Sequence, residues 1–305
     1  MEIRTLAEGL EFPEGPVALA DGSVVLVEIA AGVLTRVAAD GAKTVVARPG
    51  GGPNGAAVGR DGKCYVANNG GFEWIVEDGR RRPFLQAKDY SGGRIERIDL
   101  ATSAVDVLYR ACGEVPLKGP NDLVIDRNGG IYFTDLGKVR AREMDRGAVY
   151  YAAPDGSSIA EVAYPLVTPN GIGLSPDEKT LYVAETEAAR LWAFDIDAPG
   201  IVRKEAWPSP HGGRIVAGPG GYQRFDSLAV QEDGRICVAT LVNGGITVIS
   251  PDGRHVEHHP MPDPMTTNIC FGGPDMKTAY ITLSWTGRLV AVDWPVPGLR
   301  LNQHG

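Results

Sequence analysis

Six polar residues recur at equivalent positions along the chain, each at the start of an apolar, strand-like run. They are Glu14, Asn54, Asn121, Asn170, Asp226 and Asn268. Two are carboxylates and four are carboxamides, so each can offer an oxygen donor. An oxygen-only set suits a hard divalent cation such as Ca²⁺, Mg²⁺ or Mn²⁺. Two carboxylates would neutralise such an ion, while Asn ligands would leave it able to polarise a substrate carbonyl.

A simpler explanation exists for each residue taken alone, because Asn and Asp before glycine are ordinary turn residues. Glu14 fits that explanation least well. Glu is a poor turn former, yet it stands between Pro13 and Gly15 where the other repeats have Asn or Asp. The alignment of six repeats therefore favours a metal or substrate cluster over six unrelated turns.

Each of the six segments is followed by a second shared pattern, a tight-turn sequence and then a β-rich run. In the first repeat Asp21-Gly22 precedes Val24–Val27, and in the third Asn128-Gly129 precedes Ile131–Phe133. Six units in 305 residues correspond to roughly 50 residues each, which is typical of four-stranded propeller blades. The sequence therefore predicts an all-β protein, a six-bladed β-propeller with a metal site in its central channel.

The ends of the chain indicate how the ring closes. The last unit stops soon after Trp294, one strand short of the others, and the segment from Glu2 to Ala7 can supply the missing strand. A closed ring also protects sheet edges that an open array would expose. We therefore expect residues 1–305 to form a single propeller domain.

The second unit is longer than the rest, which indicates insertions. The spacing between Asn54 and Asn121 points to one insertion around residues 70–90 and another around residues 112–118. Such loops commonly cover a channel mouth and shape specificity. Within the first insertion, the run Arg80–Arg82 is interpreted as the solvated end of a hairpin.

Charge and composition restrict the partners. A formal net charge of −8 and a pI near 5.2 argue against nucleic acid as a partner. No run approaches the ~20 apolar residues of a membrane span, and the first residues lack the apolar core of a secretory signal, so we expect a cytoplasmic protein without a membrane partner. The cysteines, which form no C-x-x-C pair, are expected to be reduced and structural. They are Cys64, Cys112, Cys237 and Cys270.

The chain resembles the senescence-marker-protein/gluconolactonase (regucalcin-like) family of six-bladed propeller lactonases, which is similar in fold and site to diisopropyl fluorophosphatase. The segments that carry the resemblance span nearly the whole chain in order. They are Phe12–Pro16, Gly119–Val124 with Tyr132–Asp135, Pro169–Gly171 with Leu174–Asp177 and Thr180–Val183, Asp226–Val230, and Cys270–Asp275.

The resemblance implies one divalent metal ion in the channel, with Ca²⁺ first and Mg²⁺, Mn²⁺, Zn²⁺ or Fe²⁺ as alternatives. It implies Glu14, Asn170 and Asp226 as ligands and Asn121 as a fourth ligand or a substrate contact. Asp226 matches the family's general base or nucleophile, and Asn54 is expected to lie in the pocket.

One position departs from the family. Sugar-lactone-hydrolysing members often carry Arg two residues before the Asn that matches Asn121, and here that residue is Gly119. Lys118 is a candidate substitute in substrate binding, although it could equally face solvent. Just ahead of Asp226, a second set of candidate pocket donors consists of Tyr222, Gln223 and Arg224.

The function expected from the resemblance is metal-dependent hydrolysis of a lactone, with a sugar aldonolactone such as gluconolactone as the small-molecule substrate. Two alternatives stay open: hydrolysis of phosphotriesters or other esters on the same metal site, and a binding propeller without catalysis. The sequence does not name the lactone, the physiological metal or the oligomeric state.

Overall fold

The structure is a computed structural model that describes residues 1–301 of the 305-residue chain. This part of the chain contains short β-strands joined by turns and no helix. It accordingly has no segment that could cross a membrane as a helix. The strands form six antiparallel sheets of four or five strands each and two separate two-stranded hairpins, so the predicted all-β, six-bladed propeller is confirmed.

The first three blades follow the chain from the innermost strand outwards. Blade 1 contains β2 (Pro13–Ala18), β3 (Val24–Glu28), β4 (Val33–Val37) and β5 (Lys43–Ala47). Blade 2 contains β6 (Pro53–Val58), β7 (Cys64–Asn68), β10 (Arg94–Ile98) and β11 (Val105–Tyr109). Blade 3 contains β14 (Pro120–Ile125), β15 (Ile131–Asp135), β16 (Gly147–Ala152) and β17 (Ile159–Leu166).

The next two blades repeat this order, except that two short strands share the outer edge of blade 4. Blade 4 contains β18 (Pro169–Leu174), β19 (Thr180–Glu185), β20 (Arg190–Ala198), β21 (Ile201–Arg203) and β22 (Arg214–Ala217). Blade 5 contains β23 (Arg224–Val230), β24 (Ile236–Leu241), β25 (Gly245–Ile249) and β26 (Val256–Pro260).

Blade 6 combines the two ends of the chain. It contains β27 (Thr266–Gly272), β28 (Thr278–Leu283), β29 (Arg288–Asp293) and, as its outermost strand, β1 (Ile3–Ala7). In this pairing Ile3 lies opposite Val292 and Thr5 lies opposite Val290. The predicted closure of the last unit by the N-terminal segment is therefore confirmed.

Two hairpins lie outside the blades, at the positions where the sequence indicated insertions. The first, β8 (Phe72–Glu77) with β9 (Arg80–Gln86), interrupts blade 2 between its second and third strands. The second, β12 (Ala111–Cys112) with β13 (Val115–Pro116), joins blade 2 to blade 3.

Apolar side chains fill the space between neighbouring blades. Six buried clusters are present, one at each junction of adjacent blades. The innermost strands also contact one another in ring order, from β2 through β6, β14, β18 and β23 to β27 and back to β2. This arrangement brings one end of all six inner strands around a common channel.

Candidate active site in the central channel

Each of the six aligned polar residues lies on the innermost strand of a different blade. At each of them the register between that strand and its neighbour shifts. Such a bulge bends the strand and changes the direction of a side chain. The repeated sequence pattern therefore produces a repeated backbone irregularity at the channel.

Glycines that follow the site residues let the inner strands approach each other closely. A Cβ added to Gly15, whose φ is +52°, would lie 2.7 Å from the Ala56 nitrogen on the next blade. A Cβ on Gly55 would lie 2.5 Å from the Asn121 carbonyl oxygen. Glycine is required at these positions because no larger residue leaves room for the neighbouring backbone.

Five of the six residues line one cavity of about 220 Å³ at the end of the channel. They are Glu14, Asn54, Asn121, Asn170 and Asp226. The sixth residue, Asn268, instead holds Glu14 in place, since Asn268 Nδ2 donates to Glu14 Oε2 at 2.6 Å. Apolar side chains, among them Phe12 and Phe72, form much of the remaining wall.

Two oxygens of this site are buried without a hydrogen-bond donor. Glu14 Oε2 accepts from Asn268 and from the Gly15 nitrogen at 2.5 Å, but Oε1 has no partner within residues 1–301. Asn121 Oδ1 also lacks a partner there. Because an unsatisfied buried acceptor costs about 1–3 kcal/mol, two of them together indicate space for a positively charged ligand.

The two carboxyl groups experience strong desolvation. Burial raises the pKa of Glu14 well above its ordinary value, and repulsion from Asp226 and Asp122 adds to the effect. Burial likewise raises the pKa of Asp226, against the opposing hydrogen bond from Asn170. A cation between these groups would favour their ionised forms.

The donor chemistry fits a hard cation, although the described residues contain no group of three or more His, Cys, Asp or Glu side chains arranged to hold a metal. Here two carboxylates, Glu14 and Asp226, are combined with the carboxamides of Asn121 and Asn170. A ligand set of this composition offers only oxygen, which is the preference of Ca²⁺ and Mg²⁺.

Neighbouring hydrogen bonds orient two of the carboxamides differently. Asn170 Nδ2 donates to Thr186 Oγ1 at 3.1 Å, and Asn170 Oδ1 accepts a long hydrogen bond from Ser227 Oγ at 3.5 Å. Asn54 Oδ1 instead accepts from Asn69 Nδ2 at 3.1 Å, because the Asn69 oxygen is already bound by the Gly71 nitrogen at 2.8 Å. Asn54 Nδ2 in turn donates to the Asn121 carbonyl oxygen at 3.3 Å, so this amide connects two residues of the site.

A third buried carboxyl group, Asp122, was not recognised in the sequence as part of the site. Burial raises its pKa to about 7, while hydrogen bonds from Leu123 and Ser227 oppose the shift. Asp122 lines a second, largely apolar cavity on the other side of the channel. The sequence did contain a signal for Asp122. It directly follows the site residue Asn121, whereas glycine stands at the equivalent position in three of the other repeats.

The remaining sequence candidates are distributed differently. Lys118 is not among the residues that line the cavity, and its Nζ donates to Asp145 at 2.8 Å near the surface. Arg224 lines the cavity and pairs with Glu187 at 3.2 Å. By contrast, Tyr222 is 72% exposed.

The neighbouring Gln223 is engaged elsewhere, because its amide donates to the Gly220 carbonyl at 2.6 Å. At Gly119 a Cβ would lie 2.3 Å from the Gly137 carbonyl oxygen, so this backbone leaves no room for the arginine that the family resemblance implies here.

The first inserted hairpin covers the cavity, as the sequence indicated. Phe72 of β8 and Arg82, Pro83 and Phe84 of β9 line its wall. The interpretation of the whole run Arg80–Arg82 as a solvated hairpin end is therefore wrong for Arg82. The reason is that β9 continues beyond the turn, and its residues Arg82, Pro83 and Phe84 belong to the cavity wall.

Several curated proteins are similar to the chain. Gluconolactonase of Zymomonas mobilis is 26% identical over an alignment of 316 positions, gaps included. The alignment covers 92% of this chain and 79% of that protein. Lactonase drp35 of Staphylococcus saprophyticus is 30% identical over 211 residues, covering 69% of this chain but only 57% of that protein.

Solved structures share the fold. A gluconolactonase from Xanthomonas campestris superposes with a TM-score of 0.74 and 25% identity, covering 97% of this chain and 89% of that one. A calcium-binding protein, regucalcin, from Agrobacterium tumefaciens gives a TM-score of 0.76 at 22% identity, with 98% of both chains covered. The SMP-30/Gluconolactonase/LRE-like region matches residues 12–284, so the chain belongs to this family.

Proposed function

We propose that this protein is a divalent-cation-dependent lactonase that opens a sugar aldonolactone such as gluconolactone. The observation that carries the proposal is the pair of unpartnered buried oxygens, Glu14 Oε1 and Asn121 Oδ1, in the same cavity as Asp226. Family membership and the gluconolactonase and lactonase relatives support lactones as the substrate class.

The residues that would hold the cation are Glu14, Asn121, Asn170 and Asp226. Ca²⁺ is the first candidate because all four offer oxygen and two carry negative charge. When bound, the ion would supply Lewis-acid polarisation of the lactone carbonyl and would stabilise negative charge on its oxygen.

The protein's own groups supply the remaining chemistry. Asp226, whose pKa is raised by burial, takes a proton from the water that attacks the carbonyl carbon. The new carbon–oxygen bond forms as the bond from the carbonyl carbon to the ring oxygen breaks. Asp226 then returns the proton to the ring oxygen, which leaves as an alcohol, while Asn54 contacts the substrate from the cavity wall.

The test combines metal content with turnover in Asp226→Asn and Glu14→Gln. We expect Asp226→Asn to retain much of its cation and to lose kcat by at least about 10²-fold, because the amide can still be a ligand but is not a base. Glu14→Gln should lose the cation on dialysis against chelator.

The matched control is Glu185→Gln, a buried carboxylate outside the cavity that accepts from the Val167 nitrogen and Trp192 Nε1. This variant should keep both cation and turnover. A cation-loaded Asp226→Asn enzyme with near wild-type turnover would contradict the role of Asp226. A greater rate on diisopropyl fluorophosphate than on any lactone would favour the phosphotriesterase alternative, and turnover of neither would favour a binding protein.

A further inference from the structure

Arg82 is a charged residue of the cavity that the proposed reaction does not use. Its side chain is partly buried in the wall that also contains Glu14 and Asp226. It makes no hydrogen bond or ion pair with any residue between 1 and 301. The wall of the substrate space therefore contains a guanidinium group with no partner among residues 1–301.

The two preceding arginines on β9 differ from Arg82 in their surroundings. Arg81 pairs with Glu11 at 2.7 Å. Arg80 lies over the ring of Trp285, 5.4 Å from its centroid. Neither lines the cavity. The free guanidinium of Arg82 is therefore a property of one position on the hairpin rather than of a generally basic surface.

The charges that line the cavity leave Arg82 without compensation. Glu187 neutralises Arg224 through their ion pair, and Glu14 with Asp226 would neutralise a divalent cation. One positive charge then remains, carried by Arg82. A bound ligand with a single negative charge would complete the balance.

We propose that Arg82 determines specificity by binding a carboxylate on the lactone, so that acidic sugar lactones are preferred over neutral ones. The inference rests on the proposed lactonase function of this cavity. A planar carboxylate matches the fork of N–H donors on a guanidinium, and its single charge matches the uncompensated charge better than a phosphate does.

The experiment compares two lactones that differ at one group. Glucono-γ-lactone carries a terminal hydroxymethyl group, whereas glucaro-γ-lactone carries a carboxylate there. kcat/KM for both is measured with the wild type, Arg82→Gln and the matched control Arg81→Gln. We expect the wild type to prefer the acidic lactone by about tenfold or more, since an unpaired polar group in a site penalises a ligand that lacks its partner.

Arg82→Gln should bring the ratio close to one through a larger loss of kcat/KM on the acidic lactone than on the neutral one, whereas Arg81→Gln should keep the wild-type ratio. An equal loss on both lactones, no preference in the wild type, or the same change of ratio in Arg81→Gln would overturn the inference. Unchanged melting temperatures would show that both variants fold.

If the protein is not a lactonase, the wild type turns over neither lactone, and this result differs from every outcome above. In that case calorimetric titration decides the inference independently. Glucarate should then bind more tightly than gluconate to the wild type and equally to Arg82→Gln. Equal binding of the two acids to the wild type would overturn the role of Arg82.

Discussion

Three carboxyl groups are crowded into the centre of the protein. Burial raises the pKa of Glu14, Asp122 and Asp226, and Asp122 raises the pKa of the other two further. Within residues 1–301 none of the three forms an ion pair with Lys, Arg or His. Such an arrangement is costly without a cation and becomes favourable with one, so ligand binding and stability should be linked.

The first prediction concerns this linkage at Glu14. In excess chelator at pH 8, Glu14→Gln should melt a few °C above the wild type, because one buried negative charge is removed from the cluster. Adding Ca²⁺ should raise the melting temperature of the wild type but not of the variant. Thermal melts with and without Ca²⁺ measure both effects, and an equal Ca²⁺-induced rise in the two proteins would exclude Glu14 as a ligand.

The second prediction concerns Lys118, which the sequence made a candidate substrate contact. Since its ammonium pairs with Asp145 outside the cavity, Lys118→Ala should keep kcat/KM for gluconolactone within about twofold. Asn54→Ala, which removes a polar side chain of the cavity wall, should lower kcat/KM by about tenfold in the same assay. A tenfold loss in Lys118→Ala would return this residue to the site.

At the scale of elements, the hairpin of β8 and β9 is fastened to blade 3 by Lys138. This side chain is 1% exposed, and its Nζ donates to the carbonyls of Asn69 and Gly71 at 2.8 and 2.9 Å. It also lies 4.1 Å from the centroid of the Phe72 ring. The orientation of Asn69 therefore depends on this buried lysine, and the cover of the cavity depends on it together with the hydrogen bond from the Gln86 nitrogen to the Val139 carbonyl at 2.8 Å.

The third prediction uses the titration of Lys138. Burial lowers its pKa to about 7, with Asp135 and Asp145 opposing the shift, whereas an unfolded lysine titrates near 10.5. Between pH 7 and pH 10.5 the unfolded chain binds more protons at Lys138 than the folded protein does. The contribution of Lys138 to the free energy of unfolding therefore increases as the pH rises from 7 to 10.5. The wild type should therefore gain stability relative to Lys138→Met from pH 7 to pH 9.

Denaturant unfolding of both proteins at the two pH values measures this difference. Lys138→Met should also be less stable at either pH, by about 1–3 kcal/mol, because two carbonyls lose their donor. An exposed control, Lys88→Met, should show neither effect. A stability difference that stays the same from pH 7 to pH 9 would mean that Lys138 keeps its proton in the folded protein.

The elements also show what the sequence could and could not predict. The aligned segments predicted the position of Glu14 and Asp226, since a repeat places equivalent residues at equivalent points of a ring. The insertion at residues 70–90 was evident from spacing alone. The place of Arg82 in the cavity wall and the burial of Lys138 depend on contacts of the hairpin with blades 1, 3 and 6, which periodicity along one strand does not contain.

For the whole molecule, the junction of blades 6 and 1 is where the ring closes. Its apolar cluster is the smallest of the six, with six buried residues against eleven to fourteen in the others. The ladder between β1 and β29 adds backbone hydrogen bonds at this point. The stability of the ring should therefore depend strongly on a short N-terminal strand.

The last prediction removes that strand. Deleting residues 1–9 takes buried Ala7 and partly buried Ile3 and Leu6 from the apolar clusters and exposes the edge of β29. At about 25 cal/mol per Å² of apolar surface, the loss should reach several kcal/mol and lower the melting temperature by about 10 °C. The exposed edge should also promote self-association, visible as concentration-dependent light scattering.

Arg4→Ala is the matched control for the deletion, because it removes only the exposed ion pair with Asp293 and should change stability by less than about 0.5 kcal/mol. A deletion protein that melts with the wild type would show that the ring does not need β1 to close.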